Sequence, residues 1–310
     1  MKKLILDAPA KINLYLKILG KRPDGYHQVE TIIQAIDLCD RLILEQTKKG
    51  IKLSSNNNIL PLSADNLVYK AAELLIRTLN IKKGIHVFIE KNIPVAAGLG
   101  GGSSDAASAI LGLNQLWDLN LNQAKLIDFA KKIGTDVPFF ISGYQTALAT
   151  GRGDELLPIE TKMRQWYCLV VPSKKLFSRR IYGEVQQKDL NPAFSTYYKG
   201  TVRAGKGGVN LTFSSADVKM LTRALTEGYK GKIETFLYNG LAKIVIKLAP
   251  EVDEIIQLMK SAGLKGFVSG SGPAVYTPVP NRKEATRIAK EFSSRHGWPT
   301  YITQTYDRRM

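Results

Sequence analysis

The sequence predicts an α+β protein with two domains, and three observations support that prediction. The chain has 310 residues, of which 44% are hydrophobic, so it can fill one large core or two of ordinary size. Its strand-like and helix-like segments do not alternate in the regular order of a doubly wound sheet. A polar stretch at 160–165 precedes a strongly apolar strand, so we place a boundary near residue 161 and predict domains at 1–161 and 162–310.

The first domain is predicted to open with two strands. Apolar residues alternate over 5–18. Residues 21–26 (KRPDGY) are predicted to form a turn, because the proline presets its own φ and the glycine is free to adopt a positive φ. A second strand over 32–44 is expected to break at 37–40, where two aspartates interrupt it. The remaining elements are a helix over 64–80 capped by Ser63, a strand over 84–91, a helix after a glycine-rich loop, and a helix over 122–133.

The second domain is predicted to begin with a buried strand at 166–172 (WYCLVVP). The stretch 192–215 is rich in Gly, Ser, Tyr and Lys, which favours a long loop. The remaining elements are two helical segments within 233–259 interrupted near Pro250, a strand, glycine turn and strand over 267–277, a helix over 283–295, and a closing strand over 301–305.

The composition argues against several classes of protein. Cys39 and Cys168 are far apart and belong to no CxxC motif, and the histidines (His27, His86 and His296) form no cluster with zinc spacing. We therefore predict reduced thiols and no bound structural metal. The N-terminus lacks the apolar run of a signal peptide, and no segment reaches about 18 uninterrupted apolar residues. The sequence thus predicts a soluble cytoplasmic protein.

The net charge of +17 would suit an anionic partner such as nucleic acid, a membrane or a phosphorylated small molecule. The basic residues are scattered, however, which favours a solvated surface. The densest basic stretches, 173–180 and 199–206, lack the interleaved aromatic residues that RNA-binding proteins use. We predict no nucleic-acid or membrane partner, and no protein partner is required.

The strongest local pattern is PVAAGLGGGSSDAA at 94–107, which follows a strand and opens a helix. Glycines let successive backbone N–H groups approach a ligand, and the start of the helix adds partial positive charge. The pattern therefore predicts a phosphate cradle, although it is neither a Walker A loop nor a Rossmann fingerprint. The alternative is a flexible turn whose serines cap the helix. The candidate ligand-binding residues are Pro94, Val95, Ala96, Ala97, Gly98, Leu99, Gly100, Gly101, Gly102, Ser103 and Ser104.

Two further features accompany this loop. Asp105 stands near the start of the helix, where an acid usually complements the helix dipole, and we favour that role over metal ligation. A second glycine turn, SGSGPA at 269–274, lies between apolar strands and is either a plain hairpin or a second contact for phosphate.

Three segments in this order resemble one superfamily, the GHMP kinases. They are APAKINL at 8–14, the glycine-rich loop at 94–107, and GSGPAV at 270–275. The resemblance implies a two-domain GHMP kinase fold, with an N-terminal domain like the second domain of ribosomal protein S5 and a ferredoxin-like C-terminal domain. It also implies that the active site lies in the cleft between them.

Within that superfamily the chain resembles the kinases of 4-diphosphocytidyl-2-C-methyl-D-erythritol. The residues that carry this closer resemblance are RPDGYH at 22–27, GTDVPFF at 134–140 and ALATGRGDE at 147–155. It implies that ATP, as co-substrate with Mg²⁺ expected beside it, phosphorylates the 2-hydroxyl of that cytidine diphosphate compound in the non-mevalonate route to isoprenoids.

The resemblance also assigns catalytic residues. Asp136 matches the catalytic aspartate, which would accept or orient the proton of the hydroxyl, and Lys11 matches the lysine that faces the transferring phosphate. Asn13 would orient the substrate near Lys11. Taken singly, Lys11 is more typical of a surface lysine in an edge strand, and Asp136 suits a residue in a turn; their joint occurrence with the glycine-rich loop reverses both interpretations.

Five other residues receive binding roles from the same resemblance. Tyr26 and His27 match residues that hold the cytosine ring, by stacking and by a hydrogen bond to its edge, and Tyr182 matches an aromatic on the other face of that ring. Asn66 and Lys91 lie where the family contacts ATP.

Two alternatives remain open at this point. One is another GHMP kinase, such as a mevalonate-pathway or homoserine enzyme, which would have no use for a cytidine clamp at Tyr26 and His27. The other is an RNA-binding module, which the charge of +17 and the S5-like fold would suit. The joint presence of Lys11, Asp136 and the glycine-rich loop argues against that module.

Overall fold

The computed structural model describes the residues 2–162, 164–190, 198–204, 207–213, 216–228 and 233–307. The strands are β1 (Lys3–Lys21), β2 (His27–Thr47), β3 (Ile51–Ser55), β4 (Gly84–Glu90), β5 (Thr146–Thr150), β6 (Glu155–Pro158), β7 (Trp166–Val170), β8 (Tyr198–Ala204), β9 (Gly207–Phe213), β10 (Tyr238–Asn239), β11 (Phe267–Val268), β12 (Val275–Val279) and β13 (Thr300–Gln304). The α-helices are α1 (Leu67–Leu79), α2 (Gly101–Leu116), α3 (Gln123–Ile133), α4 (Val137–Ser142), α5 (Ser178–Gly183), α6 (Ala216–Glu227), α7 (Ala242–Leu248), α8 (Glu251–Ser261) and α9 (Arg282–His296).

Most of the predicted elements are confirmed within a few residues, but two details of the first half are wrong. The break expected at 37–40 does not occur, because β2 continues through both aspartates as one strand. The cap of α1 is Asn66 rather than Ser63, since the Asn66 side chain accepts the backbone N–H of Val68 at 2.8 Å. In the first case the partners of the aspartates are distant in sequence, and in the second the capping contact is with the residue two positions along the chain.

The predicted loop over 192–215 is also wrong in part. Strands β8 and β9 pair antiparallel within it, from Tyr198 opposite Phe213 to Ala204 opposite Gly207. The rest of that stretch lies outside the described residues. Sequence periodicity likewise missed the short elements β5, β6, α4 and α5, which are too brief to show a clear period.

The described chain forms two compact units that are not contiguous in sequence. The first unit contains Met1–Ala10, Leu38–Val95 and Gly100–Gly143, and the second unit contains Lys11–Asp37, Ala96–Leu99 and Tyr144–Met310. The strands β1 and β2 and the glycine-rich loop each contribute residues to both units. The boundary near residue 161 stays a prediction.

In the first unit, β4 is flanked by two strands of opposite direction. It pairs antiparallel with the C-terminal half of β2, with Leu44 opposite Val87, and parallel with β3, with Leu53 opposite Val87. These three side chains are buried, and the helices α1, α2 and α3 supply further apolar side chains to this core. These strands are part of a seven-stranded sheet, and α2 packs on it, since a Cβ on Gly112 would lie 2.7 Å from the Leu44 side chain.

In the second unit, a four-stranded sheet follows the order β11-β12-β7-β13, with antiparallel pairs from β11 to β12, β12 to β7 and β7 to β13. Its core packs Cys168 and Val170 against Ile255 and Phe292 from helices α8 and α9. The N-terminal half of β2 pairs antiparallel with β5, and β1 pairs parallel with β10. Across the described ranges, no helix combines the length and the apolar character that a membrane span needs.

Candidate active site

Residues 96–99 of the glycine-rich loop are held against the second glycine turn at 269–272. Gly98 has a φ of +78°, and a Cβ placed there would lie 2.2 Å from the backbone oxygen of Ser269. Because backbone cannot yield at that distance, the position accepts only glycine. The hydroxyl of Ser269 also donates a hydrogen bond to the Gly98 carbonyl at 3.1 Å. The turn at 269–272 therefore fixes the shape of the loop.

Further backbone hydrogen bonds join the three segments that carried the family resemblance. The N–H of Lys11 donates to the carbonyl of Leu99 at 2.9 Å. The N–H of Ala274 donates to the carbonyl of Ala97 at 3.1 Å. All four residues belong to the second unit. Strand β1, the loop and the second turn thus meet through contacts that do not depend on side-chain identity.

In the first unit, the loop ends at the start of helix α2. Gly100 is the N-cap, with a φ of +71°, and has no side chain with which to cap the first turn. Ser103 is half-buried, and the hydroxyl of Ser104 is buried with no hydrogen-bond partner among the described residues. First-turn N–H groups and an unused hydroxyl at the positive end of a 16-residue helix form a suitable site for phosphate.

Beneath that turn, Lys91 is buried between two carboxylates. Its ammonium donates to Asp105 Oδ2 at 2.9 Å and to Asp40 Oδ2, and the three side chains are at most 2% exposed. Asp40 Oδ1 accepts the backbone N–H groups of Asn92 at 2.6 Å and Ile93 at 2.8 Å. This cluster (Lys91, Asp40 and Asp105) therefore anchors the chain that leads from β4 into the loop.

The electrostatics of this cluster follow from its burial. Burial alone would lower the pKa of Lys91, but the charges of Asp105 and Asp40 outweigh it and raise that pKa. Burial raises the pKa of Asp105 to about 7, against the lowering effect of Lys91. The partner of Asp105 is thus the Lys91 ammonium, rather than the helix dipole that the sequence suggested. Contact of Lys91 with ATP stays a prediction.

Asn66 lies at the start of α1 and is nearly buried. Its amide oxygen accepts from Val68, and its amide nitrogen donates to the carbonyl of Pro61 at 2.7 Å. A Cβ on Gly102 would lie 3.9 Å from Leu67, so the starts of α1 and α2 are close together. A contact of Asn66 with ATP stays a prediction, and the structure shows its amide acting as a helix cap.

Lys11 and Asn13 share one face of β1 and are only 4% and 5% exposed. The Lys11 ammonium donates to Asn13 Oδ1 at 2.6 Å, and Asn13 Nδ2 donates to Thr31 Oγ1 at 2.8 Å. A Cβ on Gly270 would lie 3.0 Å from Lys11 Nζ and 2.9 Å from Asn13 Oδ1. The interpretation of Lys11 as a surface lysine is therefore wrong, since it is buried against the second glycine turn.

Asp136 immediately precedes the short helix α4 in the first unit. It is half-buried, and Pro138 stands in the first turn that follows. The Asp136 carboxylate does not cap α4. Its catalytic role stays a prediction.

Tyr26 presents an aromatic ring at the end of the β1–β2 turn and is 50% exposed. The guanidinium of Arg152 lies 5.0 Å from the centre of that ring and donates to Asp154 Oδ2 at 2.5 Å. The backbone N–H of Tyr26 donates to Asp24 Oδ1 at 3.1 Å. The ring is thus oriented from one side, and half of its surface stays open to a planar ligand.

His27 and Tyr182 lie together in the second unit, with ring centres 5.5 Å apart and planes tilted by 31°. Burial lowers the pKa of His27, and the nearby charge of Lys21 lowers it further. The imidazole is therefore neutral at pH 7, with one nitrogen that donates and one that accepts. A neutral ring suits a hydrogen bond to the uncharged edge of a nucleobase.

Comparison with known proteins places this geometry in a family. The family model described as GHMP kinases N terminal domain matches residues 66–144, and that described as GHMP kinases C terminal matches residues 221–297. A 4-diphosphocytidyl-2-C-methyl-D-erythritol kinase of Syntrophomonas wolfei is 35% identical over 95% of this chain and 96% of its own. The chain belongs to the GHMP kinase family. A kinase of the same name from Bacillus anthracis is 40% identical over 92% of this chain and 91% of its own.

The structure of this GHMP kinase gives the same result. A crystal structure of 4-(cytidine 5'-diphospho)-2C-methyl-D-erythritol kinase matches it with a TM-score of 0.76 and 28% identity, over 98% of this chain and 100% of that chain. The predicted resemblance, the α+β content and the two-domain GHMP kinase fold are confirmed. The roles of individual site residues stay predictions.

Sequence reasoning missed four residues that the structure places next to the predicted ones. Thr31 bonds to Asn13, Asp40 bonds to Lys91, Arg152 covers Tyr26, and Tyr276 donates its hydroxyl to the backbone carbonyl of Asn13 at 2.9 Å. Arg152 stood within a quoted motif without a role, and Asp40 was interpreted as a strand breaker. Thr31 and Tyr276 gave no local pattern, because their partners lie 18 and 263 residues away.

Proposed function

We propose that this chain transfers the γ-phosphate of ATP to the 2-hydroxyl of 4-diphosphocytidyl-2-C-methyl-D-erythritol, giving the 2-phosphate and ADP, in the non-mevalonate route to isoprenoid precursors. The observation that carries the proposal is the direct backbone bond between Lys11 and the glycine-rich loop at Leu99. It joins the strand that carries the buried Lys11 side chain to residues 96–99 of the glycine-rich loop. The names of the relatives supply the identity of the acceptor.

The glycine-rich loop binds the triphosphate in this proposal. Its glycines and the first turn of α2 offer N–H donors, and the buried hydroxyl of Ser104 offers a further polar contact. Among the described residues, no group of three or more His, Cys, Asp or Glu side chains could hold a metal ion. Mg²⁺ keeps several waters and is usually bound through substrate phosphates, and the hydroxyls of Ser103 and Ser104 would be its nearest protein ligands in this proposal.

Phosphoryl transfer requires alignment of the alcohol with the γ-phosphorus and neutralisation of the charge on the phosphate oxygens. Lys11 supplies the cation, and its position is fixed by Asn13 and by Gly270. We assign Asp136 as the group that accepts or orients the hydroxyl proton, which typically contributes about 10²–10⁴-fold to the rate. Asn13 would also orient the substrate.

The acceptor is recognised through its cytosine ring. Tyr26 and Tyr182 offer aromatic faces, and the neutral imidazole of His27 offers a hydrogen bond to the edge of the ring. Base stacking on an aromatic side chain contributes about 1–3 kcal/mol. Asn66 and Lys91 keep their proposed place near ATP, Asn66 as a helix cap and Lys91 as a support of the loop.

We further propose that the enzyme acts in the cytoplasm on small molecules, without nucleic acid, membrane or a protein partner. The charge of +17 suits a chain whose two substrates are both polyanions. Scattered positive charge raises the local concentration of such substrates without building a dedicated nucleic-acid surface.

An ADP-release assay with the purified chain tests this function. ATP is held constant while 4-diphosphocytidyl-2-C-methyl-D-erythritol, mevalonate and homoserine are compared as acceptors, and ³¹P NMR locates the new phosphate. We expect turnover with the cytidine compound and phosphate on its 2-hydroxyl. Faster turnover with mevalonate or homoserine would overturn the proposed acceptor, and steeply salt-dependent RNA binding without turnover would overturn the kinase activity.

A further inference from the structure

A chain of hydrogen bonds leads from the Lys11 ammonium into the protein. Lys11 Nζ donates to Asn13 Oδ1 at 2.6 Å, Asn13 Nδ2 donates to Thr31 Oγ1 at 2.8 Å, and Thr31 Oγ1 donates to the carbonyl of Tyr15 at 2.5 Å. The Lys11, Asn13 and Thr31 side chains are 3–5% exposed. All four residues lie within the second unit, on the adjoining strands β1 and β2. Each bond is therefore shielded from solvent.

The hydrogen bonds from Lys11 to Tyr15 can have one donor-to-acceptor direction only. The Tyr15 carbonyl has no hydrogen, so the Thr31 hydroxyl must donate to it and must turn its lone pairs toward Asn13. Asn13 then has to present its amide nitrogen to Thr31 and its amide oxygen to Lys11. An ammonium carries three donors and no acceptor, so the reversed amide would bring donor against donor.

Shape alone does not fix this orientation. The oxygen and the nitrogen of a carboxamide have nearly the same size, and a half-turn of the group leaves the packing almost unchanged. The Tyr276 hydroxyl holds the backbone carbonyl of Asn13 at 2.9 Å, but that bond places the residue and not its amide. Of the two contacts of the amide, the Lys11 ammonium holds its oxygen and the Thr31 hydroxyl holds its nitrogen, so Thr31 is the contact that sets the orientation independently of Lys11.

We propose that Thr31 is a positioning residue for phosphoryl transfer: its hydroxyl sets the orientation of the Asn13 amide and, through it, the position of the Lys11 ammonium. The inference rests on the proposed function, in which Lys11 faces the transferring phosphate. Thr31 itself touches neither substrate in this scheme. Displacing a catalytic group by about 1 Å can cost about 10²-fold in rate, so the expected effect is on kcat rather than on binding.

Three variants at one position separate the hydroxyl from the packing. Thr31→Val keeps the shape and removes the hydroxyl, Thr31→Ala removes it and leaves room for water, and Thr31→Ser keeps it. We expect Thr31→Val to lower kcat by about 10–100-fold, with the KM of ATP and of the cytidine substrate within about threefold of wild type. Thr31→Ser should keep kcat within about threefold, because the hydroxyl still connects Tyr15 to Asn13.

The second part of the experiment asks whether the effect passes through Asn13. In an Asn13→Ala background, Thr31→Val should change kcat by less than about twofold, since the amide that it orients is gone. Thermal unfolding of each variant identifies any loss of fold. If Thr31→Val does not fold, the comparison of Thr31→Ala with Thr31→Ser decides the same question.

Two results would overturn the positioning role while leaving the proposed function intact: equal kcat for the valine and serine variants, or an undiminished effect of Thr31→Val in the Asn13→Ala background. The wild-type rate with the cytidine substrate is measured first. Its absence in a folded protein would overturn the proposed function and this inference together. A normal wild-type rate, together with kcat values that do not change in the Thr31 variants, would overturn the inference alone.

Discussion

The two compact units each bury a lysine beside a glycine, and the surroundings of the two ammonium groups differ. In the first unit, Lys91 lies under Gly101 and donates to two carboxylates. In the second unit, Lys11 lies against Gly270 and donates to the amide oxygen of Asn13. The first arrangement holds a cation between two carboxylates, and the second includes a hydrogen bond from a cation to a neutral amide.

This difference suggests different tasks. A buried ion cluster is costly to disturb, because removal of the cation leaves buried carboxylates without a neutralising charge. It therefore serves as a rigid support, here for the segment that leads into the glycine-rich loop. An amide oxygen can instead direct an ammonium toward one position, as Asn13 Oδ1 does for Lys11. We accordingly expect changes in the Lys91 cluster to act on stability, and changes around Lys11 to act on turnover.

The largest expected effect is on stability in the first unit. Lys91→Met removes the cation between Asp40 and Asp105 and should lower the free energy of unfolding by about 3–5 kcal/mol. Urea denaturation at pH 7.5 measures it. Lys131→Met, an exposed lysine of the same unit, is the control and should change stability by less than about 0.5 kcal/mol. Equal effects of the two substitutions would show that the cluster does not support the fold.

The counterpart in the second unit is an effect on rate. Lys11→Met should lower kcat by about 10²–10³-fold, because a preorganised donor to the transition state is lost. Asp136→Ala should give a loss of about 10²–10⁴-fold if it acts on the hydroxyl proton. Steady-state kinetics with both substrates measures these effects, and Lys265→Met, an exposed lysine, should leave kcat unchanged. Near-normal kcat in Lys11→Met would remove the contrast between the two lysines.

The third effect is a pH dependence of stability caused by Asp105. Its pKa is about 7 in the folded protein and near 3.8 when exposed, so between these values the folded protein holds a proton that the unfolded chain releases. The free energy of unfolding should therefore fall as the pH rises from about 4 to about 7, by on the order of 1–4 kcal/mol, and level off above pH 7.

Asp105→Asn tests this assignment, because an amide cannot ionise and the falling slope should disappear. Urea denaturation is measured from pH 5 to pH 8 for the wild type and the variant. Asp128→Asn, an exposed aspartate of the first unit, should keep the wild-type slope. An unchanged slope in Asp105→Asn would assign the titration to another group.

Local patterns in the sequence predicted much of the fold. The helix expected over 122–133 is α3 with Asn122 as its cap, since helical spacing and a capping residue are contained in a dozen neighbouring residues. Strand β2 shows the opposite case. Asp40 looks like an interruption in sequence, but Lys91, 51 residues away, neutralises it and lets the strand continue. A charge pair formed by folding has no local pattern.

The same distinction holds for the candidate site. The glycine-rich loop was found from its own residues, because four glycines within five positions are a local signal. The residues that contact Asn13 beside Lys11, such as Thr31 and Tyr276, are ordinary in sequence and act only through contacts at long range. Candidate site residues could thus be proposed from the sequence, while the residues that contact them required the fold.

The smallest expected effect concerns the second unit, where one substitution should separate binding of the acceptor from binding of ATP. Tyr26→Ala removes an exposed ring that Arg152 orients from one face, at 5.0 Å from its centre. Loss of stacking should weaken binding of the cytidine substrate by about 1–3 kcal/mol, which is about 5–150-fold in KM, with the KM of ATP within about twofold. Tyr26→Phe is the control and should change either KM by less than about threefold, since the ring and its guanidinium neighbour remain. Equal weakening of ATP and the cytidine substrate in Tyr26→Ala would mean that this ring supports the fold of the second unit, and acceptor recognition would then have to lie with His27 and Tyr182.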